Sequence, residues 1–192
     1  KDKLRSCIEE KKTDYIPIWF MRQAGRYLPE FRKIRKKNPN FINLCLNTEL
    51  IVDITLQPLN RFDLDAAIIF SDILMIPYGL GQNVEFKKGL GPILEDINFN
   101  EIINKDPKDF TEKLLPVYKG IEKVKKKLNE KDLIGFVGAP WTILLYMLNK
   151  QSPKKSFSFN NINRDKNLIN KLLEKLEEII CLHVEKQIEA GA

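Results

Sequence analysis

An α/β fold with a parallel sheet is predicted from three features of the sequence. Short, continuously apolar runs recur, amphipathic helical stretches separate them, and chemically capable polar residues stand directly after each run. The runs are Ile16-Pro17-Ile18-Trp19-Phe20-Met21, Ala66-Ala67-Ile68-Ile69-Phe70 and Leu133-Ile134-Gly135-Phe136-Val137. Runs of this length without polar alternation suit strands buried on both faces.

Between the runs lie helical patterns. Thr48 is placed to cap a helix through Leu50, Ile51 and Ile54 to Pro58, where the helix should kink or end. Leu114, Leu115, Tyr118, Ile121, Val124 and Leu128 recur at helical spacing. The clearest stripe is Leu168, Ile169, Leu172, Leu173, Leu176, Ile179, Ile180 and Val184, with Gly191 as its stop. Gln151 to Arg164, rich in Ser, Lys and Asn, reads as an exposed loop. Gly79-Leu80-Gly81 and Gly89-Leu90-Gly91 lack the third glycine and following helix of a dinucleotide loop, and read as turns. Three βα units do not close a barrel, so the pattern describes either a small open sheet or part of a larger fold.

Composition narrows the class. A length of 192 residues suits one domain with a core of its own. The 43% hydrophobic and 30% charged fractions argue against a disordered chain. No apolar run approaches the ~20 residues of a membrane span, and Lys1 to Lys12 lacks the apolar stretch of a secretory signal. The net charge of +6 is carried by lysines scattered along the chain, which read as solvated surface. The arginines differ, because Arg22, Arg26, Arg32 and Arg35 crowd into one segment. Lys33-Ile34-Arg35-Lys36-Lys37 has no aromatic interleaving, so no nucleic-acid partner is expected. Cys7, Cys45 and Cys181 are odd in number and far apart, which points to reduced thiols in an intracellular compartment. One histidine, His183, makes neither a His cage nor a Ser-His-Asp triad from these residues. Cys181-Leu182-His183 falls in mid-helix without further ligands and reads as structural, so no metal is expected.

Arg22 and Gln23 follow the first run, Ser71 and Asp72 the second, and Gly138-Ala139-Pro140-Trp141 the third. If the segment after Met21 is helical, Arg22 and Arg26 share one face. The guanidinium fork then suits paired carboxylates and keeps its charge near neutral pH. The competing reading is surface pairing with Glu30 or a neighbouring acid. Asp72 leaves an apolar strand, so its carboxylate must be paired, hydrogen-bonded or functional; pairing with a nearby arginine is the plain alternative.

Pro17-Ile18-Trp19-Phe20-Met21-Arg22-Gln23-Ala24-Gly25-Arg26-Tyr27-Leu28-Pro29-Glu30-Phe31-Arg32 resembles a segment of the uroporphyrinogen decarboxylase family. Thr55-Leu56-Gln57-Pro58-Leu59, Asp65 to Leu74, and Gly135 to Thr142 with Tyr146 and Met147 are similar to further motifs of that family. The likeness covers nearly the whole chain; the departure is the Lys- and Asn-rich stretch from Gln151 to Arg164. The resemblance implies a (β/α)8 TIM barrel. Residues 1–192 would supply its first three βα units as the N-terminal part of one domain, with the C-terminal part absent. It implies removal of the four acetate carboxyl groups of uroporphyrinogen to give coproporphyrinogen for haem synthesis, with no cofactor. It further implies a homodimer, in the cytoplasm or alternatively a plastid-type organelle. Asp72, Arg22 and Tyr146 are the implied catalytic residues. Arg22, Gln23, Ala24, Gly25, Arg26, Asp72 and Tyr146 are the implied substrate-binding set, and the family's later serine and histidine contacts fall beyond Ala192. The rival readings are a barrel-related zinc or corrinoid methyltransferase and a non-catalytic anion-binding fragment.

Overall fold

The first apolar run does not become a strand. In the computed structural model, which describes residues 3–10, 15–87, 89–152 and 165–192, helix α1 (Lys3–Glu10) precedes an extended stretch that reaches Phe20 without joining a sheet. Asp65 holds the middle of it. Ile18 N donates to Asp65 Oδ2 at 2.7 Å, and Asp65 N donates to Ile18 O at 2.8 Å. Ile16, Ile18, Phe20 and Met21 are exposed. The strand reading fails here because an apolar run records a need for burial without naming a pairing partner.

The helix considered after Met21 is absent as well. Leu28 N donates to Gly25 O at 3.0 Å, closing a turn, and α2 (Pro29–Lys37) starts only at Pro29. Proline suits a first helical position, where its missing N–H is not needed and its φ is already set. Helices α3 (Phe41–Cys45) and α4 (Thr48–Arg61) follow. Asn47, not Thr48, caps α4: its side chain accepts from Leu50 N at 3.0 Å, while Thr48 Oγ1 donates to Pro116 O at 3.1 Å. The helix continues past Pro58 to Arg61, because a proline in the last turn removes only one intrahelical bond.

The second and third runs do form strands, shorter than their apolar lengths. Strand β1 (Ala66–Ile68) leads to α5 (Met75–Leu80). A hairpin not foreseen in the sequence comes next, with β2 (Val84–Lys87) antiparallel to β3 (Gly91–Leu94). Then come α6 (Phe99–Ile103), α7 (Pro107–Lys113), α8 (Leu115–Lys127), β4 (Asp132–Ile134), α9 (Pro140–Asn149) and α10 (Lys166–Glu189). β1 and β4 pair in parallel, with Ala66 opposite Asp132 and Ile68 opposite Ile134. Of the first glycine triplet, Gly79 and Leu80 lie inside α5 rather than in a turn and only Gly81 ends the helix, at φ +109°, whereas Gly89 and Gly91 turn the hairpin at +82° and +83°. Gly191 likewise follows α10 at φ +108°. The loop expected over 151–164 falls, from residue 153 onward, outside the described residues.

One core holds the strand pair in place. Ile51 and Val52 of α4 and Val117, Ile121 and Val124 of α8 pack with Ala67, Ile69 and Leu133. The helices approach closely at Gly120, where an added Cβ would stand 2.8 Å from Ile51 Cγ2. The larger core gathers Leu74, Met75 and Ile76 with Ile143, Leu144 and Met147 of α9 and Leu172, Leu176 and Ile179 of α10. The helical stripes read from the sequence therefore face inward, except at Leu115 and Val184, which are exposed.

Candidate active site

Beyond β1 the chain is fixed by a buried hydroxyl. Thr55 Oγ1 donates to Ile51 O at 2.7 Å and accepts from Phe70 N at 3.0 Å, tying the strand end to α4. Two residues later, Asp72 Oδ1 accepts from Leu74 N at 2.9 Å. Burial outweighs that bond and lifts the Asp72 carboxyl above its usual range. No Lys, Arg or His among the described residues forms an ion pair with it. The arginine pairing considered for Asp72 is thus not realised; it is a desolvated carboxylate without a cation.

The end of β4 lies against the same place. A Cβ on Gly138 would come within 3.1 Å of Ile73 Cβ and 2.5 Å of Ile143 Cδ1. Glycine is required there because the turn into α9 presses on the residue next to Asp72. Helix α9 then starts at Pro140, and Tyr146, half-buried, packs against the core that holds Leu74 and Met75.

The Met21–Leu28 loop completes the surroundings of β1. Gln23 is 2% exposed; its Nε2 donates to Ala66 O at 2.8 Å and its Oε1 accepts from Ile68 N at 3.2 Å. The Tyr27 hydroxyl donates to Gln23 O. Ala24 and Gly25 are half-buried beside it. Arg22 and Arg26 are exposed, and neither guanidinium has a hydrogen-bond or ion-pair partner among the described residues. The pairing with Glu30 considered for them is excluded, since Arg61 holds that carboxylate at 2.7 Å and 3.1 Å.

Arg26 borders a cleft of about 840 Å³ whose rim also carries Arg32, Arg35, Lys36 and Lys87. Arg32 is braced by Arg26 O and Tyr27 O at 3.0 Å and 3.3 Å, and Arg35 by Asn38 O and Pro39 O at 2.6 Å and 3.0 Å. Rings connect the cleft to β1. Phe70 meets Phe31 and Phe41 edge-on at 5.8 Å, and Phe41 lies 4.5 Å from Phe86. The buried Cys45 thiol feels both sides: burial and Asp72 raise its pKa, while Arg35 opposes them. Such a basic, aromatic-floored cleft suits a large anion with a flat apolar body. Arg22, Asp72 and Tyr146 are not among the residues that border it.

The family model described as uroporphyrinogen decarboxylase (URO-D) matches residues 1–192. The chain belongs to the uroporphyrinogen decarboxylase family. It is 46% identical over 186 residues to a uroporphyrinogen decarboxylase of Rickettsia canadensis, covering 94% of this chain and 54% of that protein. It is 44% identical to one from a Chelativorans species, covering 99% of the chain and 56% of the relative, and 45% identical to one from a Wolbachia of Brugia malayi, covering 96% and 52%. The chain spans about half the length of the curated relatives it matches. Among solved structures, a methyltransferase from Methanosarcina mazei superposes with a TM-score of 0.72 at 15% identity, over 99% of this chain and 56% of that one. That likeness shows the α/β fold alone.

For this member of the uroporphyrinogen decarboxylase family, sequence reasoning missed Phe86 and Lys87, which the hairpin delivers to the cleft. The available signal was the alternation Val84-Glu85-Phe86-Lys87 before a glycine-rich turn. It also gave Thr55 no role. No cluster of three or more His, Cys, Asp or Glu side chains is gathered among the described residues. Cys181 is exposed on α10, whereas His183 is buried against Tyr118.

Proposed function

We propose that the protein carrying this chain is a uroporphyrinogen decarboxylase, removing four acetate carboxyl groups to give coproporphyrinogen in haem biosynthesis. The observation that supports it most is the contrast between Asp72, desolvated and without a cation, and Arg22 and Arg26, charged and without an anion. A carboxylate with no cation and guanidiniums with no anion among the described residues suit a substrate that brings carboxylates for the arginines and N–H donors for the carboxylate.

In this reading Arg22 and Arg26 take substrate carboxylates, and Asp72 accepts the pyrrole N–H bonds. Protonation of a pyrrole carbon, assisted by Arg22, makes the ring cationic, and the negative Asp72 stabilises that charge. The C–C bond to the acetate carboxylate then breaks, its electron pair neutralises the ring, and carbon dioxide leaves. A second proton on the former acetate carbon makes the methyl group, and the proton first placed on the ring carbon then leaves, which restores the neutral aromatic pyrrole. Tyr146 hydrogen-bonds near Asp72 or the departing acetate, while Gln23, Ala24 and Gly25 shape the loop. The pyrrole itself is the electron sink, so the reaction needs no metal or organic cofactor. The fold we propose for the whole protein is a (β/α)8 barrel, of which this chain supplies the first βα units, and the assembly a homodimer in the cytoplasm. No helix among the described residues is long and apolar enough to cross a membrane.

The experiment is to incubate the natural protein anaerobically with uroporphyrinogen and follow carboxylate loss by chromatography, with and without a chelator. Stepwise appearance of products ending at the tetracarboxylate supports the proposal. Binding without turnover favours an anion-binding protein, and activity lost to chelation and restored only by zinc favours the methyltransferase reading.

A further inference from the structure

The loop that carries Arg22 and Arg26 has no helical or ladder hydrogen bonds of its own, and the side chain of Gln23 fastens it to β1. In a strand, successive residues direct their backbone groups to opposite edges. β1 meets β4 through Asp65 and Ile69, whose O and N join Asp132 N at 3.3 Å and Ile134 O at 3.0 Å. Gln23 engages Ala66 O and Ile68 N, the alternate set, so it sits on the other edge. Its carboxamide offers one N–H and one C=O at the spacing of a peptide group and stands where a neighbouring strand would. From the main chain of the same residue, Gln23 O accepts from the Tyr27 hydroxyl and pins the far end of the loop.

We propose that Gln23 is a positioning residue for the reaction. It substitutes for a strand neighbour of β1, sets where Arg22 and Arg26 stand relative to the strand end, and does not itself touch substrate. Its carboxamide keeps one N–H and one lone pair beyond these two bonds, but at 2% exposure the side chain is enclosed against β1 and is not open to a ligand. A glutamate would oppose its carboxylate to the Ala66 carbonyl, an asparagine is one methylene too short to reach both groups, and a methionine keeps the shape but loses both bonds. The kinetic arm of the test rests on the decarboxylase reading; the exchange arm does not.

The test is residue-resolved hydrogen exchange and steady-state kinetics on the natural protein and its Gln23→Met and Gln23→Asn variants. Exchange at the Ile68 amide should speed up on the order of tenfold or more in Gln23→Met, while the Ile69 amide, held by β4, keeps its protection. kcat/KM for uroporphyrinogen should fall on the order of a hundredfold, with KM raised as well as kcat lowered because both arginines shift. Gln23→Asn should not rescue it. Unchanged Ile68 protection, or lost protection with wild-type kinetics, overturns the proposal. Should the variants fail to fold, the wild-type protein decides. Slow exchange of the Gln23 side-chain amide, with a resonance unmoved by added uroporphyrin, upholds the role, whereas rapid exchange or a ligand-dependent shift ends it. If the wild-type protein does not decarboxylate, the functional reading fails while the exchange results still report on Gln23.

Discussion

His183 Nδ1 lies 2.9 Å from the Tyr118 hydroxyl, and this hydrogen bond joins α10 to α8 inside the core. Phe110 stands edge-on to the imidazole at 5.8 Å, and His183 is only 4% exposed. Burial lowers its pKa from 6.5 to about 4. The unfolded chain therefore binds a proton between those values that the folded chain refuses. Stability from this residue is complete above pH 6.5 and is lost as the pH falls toward 4, by about 3 kcal/mol in all. Thermal melts from pH 7 to pH 4 should show the decline, and His183→Gln should flatten it. An equal slope in the variant places the acid sensitivity elsewhere.

Asp72→Asn keeps the size of the side chain and removes its charge. Turnover should fall more than tenfold, while binding of the tetracarboxylate product is partly retained, because charge facing a developing cation acts mainly in the transition state. The wild-type kcat/KM profile should also fall on the acid side with a midpoint above the ordinary aspartate value of 3.8, since burial raises this carboxyl and only its ionised form serves. Wild-type turnover in Asp72→Asn would remove the carboxylate from the mechanism.

Arg22→Ala and Arg26→Ala should leave the melting temperature nearly unchanged, because neither guanidinium has a protein partner to lose among the described residues. Each should weaken substrate use by about 2–5 kcal/mol if its carboxylate partner is desolvated in the complex. A large loss of stability without a kinetic effect would assign these arginines to the fold instead.

Thr55→Val exchanges the hydroxyl for a methyl and leaves the Phe70 amide buried without an acceptor. Destabilisation of about 1–3 kcal/mol is expected from chemical denaturation. Activity should fall with it, because Phe70 stands two residues before Asp72. A stability equal to wild type would mean that water replaces the hydroxyl.

The strand ends at Asp72 and Gly138 were legible because both follow buried runs whose apolar character comes from the faces they pack against. The stretch Ile16–Met21 has the same composition, yet its backbone partner is Asp65, and no apolar pattern reveals a side chain that stands in for a ladder. Arg22 and Arg26 were conspicuous in the sequence for their charge, while the helix that would have placed them on one face is absent. Gly25 and the Leu28-Pro29 step, both present in the sequence, mark a loop before a helix and were outweighed by the spacing of the two arginines. The hairpin was only half legible, because Val84 to Lys87 alternates in burial whereas Gly91 to Leu94, its partner, carries no period of its own. The cleft's second rim, at Phe86 and Lys87, was hidden with it.

The parallel pairing of β1 with β4 also imposes a schedule. Ile68 meets Ile134, sixty-six residues later in the chain. At about 5–20 residues per second on the ribosome, the strand leading to Asp72 waits roughly three to thirteen seconds for its partner to be made. Throughout that interval Ala66, Ala67 and Ile69 have no β4 to lie against, although α4 is already available to shelter one side of them. The nascent chain is thus exposed to misassociation at the segment that leads to Asp72. Slowing synthesis between Ile68 and Asp132 should lengthen its dependence on chaperones more than the same delay placed after Ile134.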